Sequence, residues 1–323
     1  MKKFAYFVGS PLLQKGLMDA IGKVGYETKL FNINEVGDIT NYEKIYNYIM
    51  ENMEAYRPDY IVVAGYHEDL AAGVIDASKK FGATFIYWAI EDPVGFERML
   101  WLAKGADVVF TTSVECISRY RRSGINAHLL LFACNPEYHT IGKYNQSLDL
   151  DFAVQANWYN WLNRVSGYHT LLKPLLKMNL TYKIWGSYWD AGIGRQFLED
   201  HGDLGNYLGP LPNTELPALC ASAKMVLGFQ CDGSSITQTS MRNYEVLSCG
   251  GFYLCHYTPA SENLFVEGQH LELVRNEEEA TEKAKFYLKN ETERKRIANK
   301  GHEFVRKYHT YERRVFENLL PFI

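Results

Sequence analysis

The sequence predicts an α/β protein made of two parallel-sheet halves. Three observations point there. Short apolar runs of strand length alternate with stretches whose apolar residues recur at helical spacing, and strands joined by crossover helices imply a parallel sheet covered on both faces. A polar segment, Asn135 to Asp149, interrupts this alternation, which then restarts. With 323 residues, 47% of them hydrophobic, the chain can fill two cores without metal or disulfide staples.

The first half opens with a strand from Phe4 to Val8 and then Gly9-Ser10-Pro11. Ser10 suits a helix cap and Pro11 a first helical turn. Leu12, Leu13, Leu17, Ala20, Ile21 and Val24 keep helical spacing, and Gly25 closes that helix. A strand over 28–31, a helix over 41–56, a buried strand from Tyr60 to Gly65 and a helix over 68–81 follow. The strand Thr84–Ala89 runs into Glu91-Asp92-Pro93. The strand Asp107–Phe110 leads through a Thr111-Thr112-Ser113 cap into a helix ending near Arg122, and Ala127–Leu131 is the last strand of this half.

The second half begins with the strand Phe152–Val154 and a helix over 163–178. Tyr182–Trp185 is a strand ending at Gly186. A helix over 213–221 precedes the strand Ala223–Phe229. A short helix then starts at Ser240, ends at Gly250-Gly251, and leads into the strand Phe252–Cys255. From Glu277 the chain reads as charged helix, and Tyr308–Leu320 is a last helix long enough to cross between domains. The expected domains are 1–148 and 149–305, with 306–323 returning to the first.

The formal net charge of −4 argues against a dedicated duplex-DNA binder, which needs a basic face. Six cysteines show no metal or redox spacing, which suggests free thiols in a reducing compartment. The amino-terminal apolar run is too short for a signal peptide, and no window approaches a transmembrane span. The expectation is a cytoplasmic protein.

Two such halves would form a cleft lined by strand carboxyl ends, where open α/β sheets bind ligands. On that logic it holds Gly9, Ser10, Gly65, His67, Glu91 and Asp92 from the first half, and Asn157, Trp158, Trp185, Gly186, Arg242 and Glu245 from the second. The helix starting at Ser240 offers first-turn N–H groups, a positive dipole end and Arg242, all suited to a diphosphate. Glu245, one turn on, could accept from a ribose. An ordinary solvated Arg–Glu pair three apart is the other reading. Glu91 and Asp92 could supply a general base, or Asp92 could cap the next helix with Pro93 in its first turn. His67 could be a base or a structural histidine. Trp158-Tyr159-Asn160-Trp161 could stack on a sugar or fill a core. No phosphate-loop lysine or dinucleotide fingerprint occurs. Asp149 and Asp151 lack the further ligands a hard cation needs.

The second half resembles the glycosyltransferase family of the spore-maturation CgeB type. The resemblance runs through Lys183-Ile184-Trp185-Gly186 with Trp189, Tyr207-Leu208-Gly209 with Leu211-Pro212, and Arg242-Asn243-Tyr244-Glu245 with Gly250-Gly251. It continues through Tyr287-Leu288, Glu293-Arg294, Ile297-Ala298, Gly301 and His309-Thr310-Tyr311 with Arg313. In the first half it rests on Trp88 through Glu91-Asp92-Pro93 and on Asp107 to Thr111.

The resemblance implies the GT-B fold, two Rossmann-like domains facing a central cleft. It implies an enzyme that moves a sugar from a nucleotide-diphosphate sugar, a UDP-sugar above all, to an acceptor hydroxyl without a required metal. The acceptor could be a glycan, a protein, a small molecule or a modified nucleic acid. By resemblance, Glu245 holds the donor ribose. Arg242 and the amides near Ser240 and Met241 lie where the diphosphate is held, with Arg164 as the basic residue of the domain's first helix. Leu208 and Gly209 lie where backbone meets the base, and Gly186 belongs to the same site. Many retaining members carry a second glutamate eight positions before Glu245, where this chain has Thr237. A non-catalytic nucleotide-sugar-binding or assembly protein on this fold, and a glycosyltransferase acting on modified DNA, are the competing readings.

Overall fold

The strand-length apolar runs form two separate parallel sheets in a computed structural model that describes residues 1–7, 10, 13–37, 41–66, 68–202 and 204–323. The first sheet holds β1 (Lys3–Tyr6), β2 (Glu27–Leu30), β3 (Tyr60–Ala64), β4 (Thr84–Ala89), β5 (Val108–Thr111) and β6 (Ala127–Leu129), in the order β2-β1-β3-β4-β5-β6. The second holds β7 (Phe152–Gln155), β8 (Tyr182–Trp185), β9 (Val226–Gly228), β10 (Tyr253–His256) and β11 (Glu272–Val274), in the order β11-β10-β9-β7-β8. All five residues of β3 are buried, as helices on both faces of a parallel sheet require. The growth of each sheet reverses once, between β1 and β3 and between β7 and β9. Such reversals open a crevice at the strands' carboxyl ends.

Helix formation follows the sequence signals where the apolar spacing is regular. In Tyr42–Tyr56, Ile45, Ile49 and Met53 bury one face at i, i+4 intervals, and the Asn41 side chain caps the start by accepting from the Lys44 N–H. The helix expected over 163–178 is one continuous run, Leu162–Gly167, Tyr168–Leu172 and Lys173–Leu176, whose middle is wound as a π-turn.

Several expectations need correction. β1 ends at Tyr6, and Val8, Gly9, Pro11 and Leu12 lie outside the described residues. Ser113 occupies the cap position of helix Val114–Arg122 but makes no capping bond; its hydroxyl donates to Glu115 at 2.6 Å. β11 is absent from the expected strands because Glu272 breaks its apolar run, and that carboxylate is buried only through the Tyr287 hydroxyl and Lys283. The charged carboxyl-terminal helix divides at Asn290 into Glu277–Lys289 and Glu291–Tyr308.

Met1–Leu131 and Tyr311–Ile323 form one unit, and Phe132–Thr310 the other. The change of unit falls at 131/132 rather than 148/149, because the polar segment packs into the second unit. The Ser248 hydroxyl donates to the His139 carbonyl at 2.7 Å, and the Asn145 N–H donates to Ser222 Oγ at 2.8 Å. The last helix begins at Tyr311, after a break at His309–Thr310. Its Tyr311 ring packs edge-on to Trp88 and so close over Gly16 that a Cβ there would lie 2.6 Å from it. No helix among the described residues is long and apolar enough to cross a membrane.

Candidate functional site

The reversal of the second sheet brings together the ends of β7 and β9 and two basic side chains. Arg164 projects from helix Leu162–Gly167 and is 4% exposed. Its guanidinium donates to the Phe229 carbonyl at 3.2 Å and to Cys231 Sγ at 3.1 Å. Its Nε has no hydrogen-bond partner, and no carboxylate lies within ion-pair distance among the described residues. A buried cation without a counter-charge is costly unless something else supplies negative charge. Other buried polar atoms here also lack partners: Gln155 Oε1, Tyr253 Oη and His256 Nδ1. Burial, and then the Arg164 charge, lower the His256 pKa to about 4, so this ring stays neutral near pH 7.

Arg242 reaches the end of β7, with its Nε donating to the Gln155 carbonyl at 3.2 Å. Burial lowers its pKa to about 10, which leaves it charged at neutral pH. It opens a helix of seven residues, Arg242–Ser248, not one starting at Ser240. Ser240 Oγ accepts from the Arg242 N–H at 3.3 Å, while the cap position is Met241. The first-turn amides are not free as expected. The Ser240 N–H donates to Gln230 Oε1 at 2.6 Å and the Asn243 N–H to the Ser240 carbonyl at 3.1 Å. Gln230 is fully buried, and its amide also donates to Asn243 Oδ1 at 2.8 Å. It ties the loop after β9 to the helix.

Glu245 is neither open to solvent nor part of a solvated pair. It is 2% exposed. One carboxylate oxygen accepts from the Arg242 guanidinium, and the other lies 3.6 Å from His139 Nε2. The Asn135 N–H donates to His139 Nδ1 at 3.1 Å, so the proton of the neutral ring belongs on Nε2, facing Glu245 and the Asn213 amide. Burial, and then the Arg242 charge, lower the His139 pKa to about 3. The contact with Glu245 is therefore polar, not an ion pair. His139 escaped the sequence reading because it lies in the polar segment taken for a linker. Gln155 and Gln230 escaped because a glutamine at a strand end carries no pattern.

Gly186, Leu208 and Gly209 meet at the end of β8. Gly186 has φ 140°, and a Cβ there would sit 2.0 Å from the Ala156 carbonyl oxygen, so only glycine fits this close approach. Its N–H donates to the Gly209 carbonyl at 2.9 Å. The Leu208 N–H donates to the Ile184 carbonyl at 3.0 Å, and the Leu208 side chain is 52% exposed. Of the aromatic run, Trp158 is core, packed on Trp189, whereas Tyr159 and Trp161 are only partly buried.

In the first unit, Asp92 is 2% exposed and its carboxylate accepts from Thr111 Oγ1 at 2.6 Å and Tyr120 Oη at 3.2 Å. It does not cap the next helix, Phe96–Gly105, whose cap position is Gly95. Burial raises its pKa to about 6, and the two hydroxyl donors oppose that rise. Glu91 is partly exposed, and burial, then the neighbouring Asp92 charge, raise its pKa to about 7. His67 lies outside the described residues. Among the described residues, no group of three or more His, Cys, Asp or Glu could hold a metal ion.

The glycosyl transferase-like family matches residues 164–320, a span that begins at Arg164 and includes Arg242 and Glu245. No curated protein matches the sequence. Both parallel-sheet units share the GT-B fold of solved structures. Sucrose-phosphate synthase from Thermosynechococcus elongatus is similar at TM-score 0.69 and 10% identity, over 98% of this chain and 97% of that one. HepE of Anabaena, solved with UDP and glucose, is similar at TM-score 0.64 and 10% identity, over 96% of each chain. A Listeria monocytogenes protein assigned as a UDP-N-acetylglucosamine 2-epimerase is similar at TM-score 0.61 and 14% identity, over 95% of this chain and 94% of that one.

Proposed function

We propose that the protein is a glycosyltransferase that moves a sugar from a nucleotide-diphosphate sugar, of the UDP class, to an acceptor hydroxyl. The observation that carries this reading is Arg164, a buried guanidinium with an unpartnered Nε and, among the described residues, no carboxylate in ion-pair reach, at the point where the second sheet reverses. A diphosphate supplies the missing negative charge. As the glycosidic bond to the donor breaks, charge accumulates on the departing nucleoside diphosphate, and Arg164 with Arg242 stabilises it in a site with little water. Glu245 and His139 hold Arg242 in place. Backbone at Leu208 and Gly209 meets the base, with Gly186 shaping that edge, and Ser240 and Met241 carry Arg242 into position.

In a displacement with inversion, an acceptor hydroxyl must lose a proton. Of the candidates, Glu91 suits that task best. Its pKa near 7 lets it take a proton at neutral pH, while Asp92 is engaged by Thr111 and Tyr120. The UDP complexes of HepE support the UDP class. The ordered motif series from Lys183 to Arg313 supports the finer CgeB-type assignment.

Incubation with a panel of UDP-sugars and acceptors, read by UDP release and product mass, tests the proposal. Arg164→Met removes an uncompensated buried charge, so stability should hold or rise. Affinity for UDP should fall by about ten-fold or more, the loss expected for a charge-assisted phosphate contact. Parent protein that epimerises its donor without transfer, or an Arg164→Met variant that binds UDP as the parent does, would overturn the reading.

A further inference from the structure

We infer that Tyr159, Trp161 and Tyr188 form a stacking seat for the base of the nucleoside diphosphate. This rests on the preceding reading that Arg164 holds the phosphates. In the loop after β7, Trp158 turns into the core against Trp189, with ring centroids 4.8 Å apart. Tyr159 and Trp161 stay only partly buried and stack on each other at 5.1 Å with planes 24° apart. Tyr188, in the loop after β8, stands 6.1 Å from Tyr159 and is 60% exposed. Its φ of 71° is one that side chains rarely adopt, and only a well-determined surrounding structure maintains it.

That surrounding structure is visible. The Trp158 N–H donates to the Ser187 carbonyl at 2.9 Å, and the Ser187 N–H to Asn157 Oδ1 at 2.9 Å. Trp189 Nε1 donates to the Ala156 carbonyl at 2.6 Å, and the Gly186 backbone presses on the same carbonyl. The two loops are stapled together, and the tier they present does not serve the core, which Trp158 and Trp189 already fill. Flat aromatic rings held at a surface are suited to stacking on another flat ring.

Two neighbours identify that ring. The Arg164 guanidinium lies 5.7 Å from the Tyr159 ring, on the β9 side of the tier. On the other side, β8 is the sheet edge. Tyr207 bridges to Ile184 on its free side, which places the exposed Leu208 there. A ligand with its phosphates on Arg164 and its ring over the tier extends toward Leu208 and Gly209. That arrangement fits a nucleoside, with base edges facing backbone groups and the base plane on the aromatic rings.

Calorimetry with UDP and with inorganic pyrophosphate tests the seat. Trp161→Ala and Tyr188→Ala should each weaken UDP binding by about ten-fold, as loss of a base–aromatic stack does, while pyrophosphate binding stays at the parent level. Tyr188→Phe should keep UDP affinity. UDP should quench tryptophan fluorescence in the parent, and Trp161→Phe should lose that quench while still binding. The seat is refuted if both alanine variants bind UDP like the parent, or if their loss appears only with UDP-sugar and not with UDP. Parent protein that binds no UDP refutes the donor reading together with the seat. UDP binding that tier variants do not alter refutes the seat alone.

Discussion

Replacing Glu245 by Gln separates two tasks for this carboxylate. As a ribose acceptor, Glu245 would need an open oxygen. In the structure it is buried, with one oxygen on Arg242 and the other toward His139. Its neighbours suit it to holding Arg242, and the cost of losing it follows from that contact. Removing one partner of a buried ion pair costs about 3–5 kcal/mol. Gln keeps an acceptor oxygen, and Arg242 retains the Gln155 carbonyl, so the expected loss for Glu245→Gln is about 2 kcal/mol. In urea that moves the unfolding midpoint of the second unit down by about 1 M. The double variant Glu245→Gln/Arg242→Met should lose less than the sum of the single variants, because the uncompensated guanidinium is gone. Ligand binding supplies the second readout. If Glu245 holds Arg242, Glu245→Gln weakens binding of UDP but leaves free uridine at the parent level. An unchanged urea midpoint together with equal loss of UDP and uridine affinity would refute the clamp and restore the ribose contact.

Three further outcomes follow from other residues. Glu91 has a folded pKa raised to about 7, so its protonation stabilises the fold below its ordinary pKa near 4.5, and this contribution is lost as pH rises through 7. Glu91→Gln should remove that fall in stability, measured by thermal unfolding from pH 4.5 to 7.5. It should also abolish a rise of transfer rate with an apparent pKa near 7, and a parent-like rate profile in the variant would exclude Glu91 as the base. His139, lowered to about 3, has the opposite sign: its contribution is full above pH 6.5 and declines as pH falls toward 3, and His139→Gln should flatten that decline in urea titrations. At Gly186 a Cβ meets the Ala156 carbonyl and φ is 140°, so Gly186→Ala should cost about 3 kcal/mol or more in urea unfolding, and parent-like stability would contradict the geometry.

Much of the fold was legible because its signals are local. Ile45, Ile49 and Met53 announce a helix by spacing alone, and Tyr60–Ala64 announces a strand buried on both faces. β11 was not legible because Glu272 interrupts its apolar run and is accommodated only by Tyr287 and Lys283 in the folded unit. The polar segment from Asn135 to Asp149 looked like a linker because composition reports average polarity, whereas its burial depends on single contacts such as Ser248 to the His139 carbonyl. Arg164, Arg242 and Glu245 were singled out from sequence, two of them three positions apart on one helix and the third by resemblance. The sequence alone implied that the residues from Ser240 to Glu245 belong to a helix start, since a polar cap, an apolar side and a double glycine are all encoded within a dozen positions. Tertiary structure decided whether those groups are available. Gln230 takes the Ser240 amide, Arg242 takes a Glu245 oxygen, and Arg164 has no carboxylate in ion-pair reach among the described residues. Those outcomes depend on which side chains the parallel neighbours β7, β9 and β10 bring within hydrogen-bond reach. The Gln230 and Glu245 contacts span only ten and three positions, but Arg164 is held by Phe229 65 positions away and Arg242 by Gln155 87 positions away, and no local spacing records such distances.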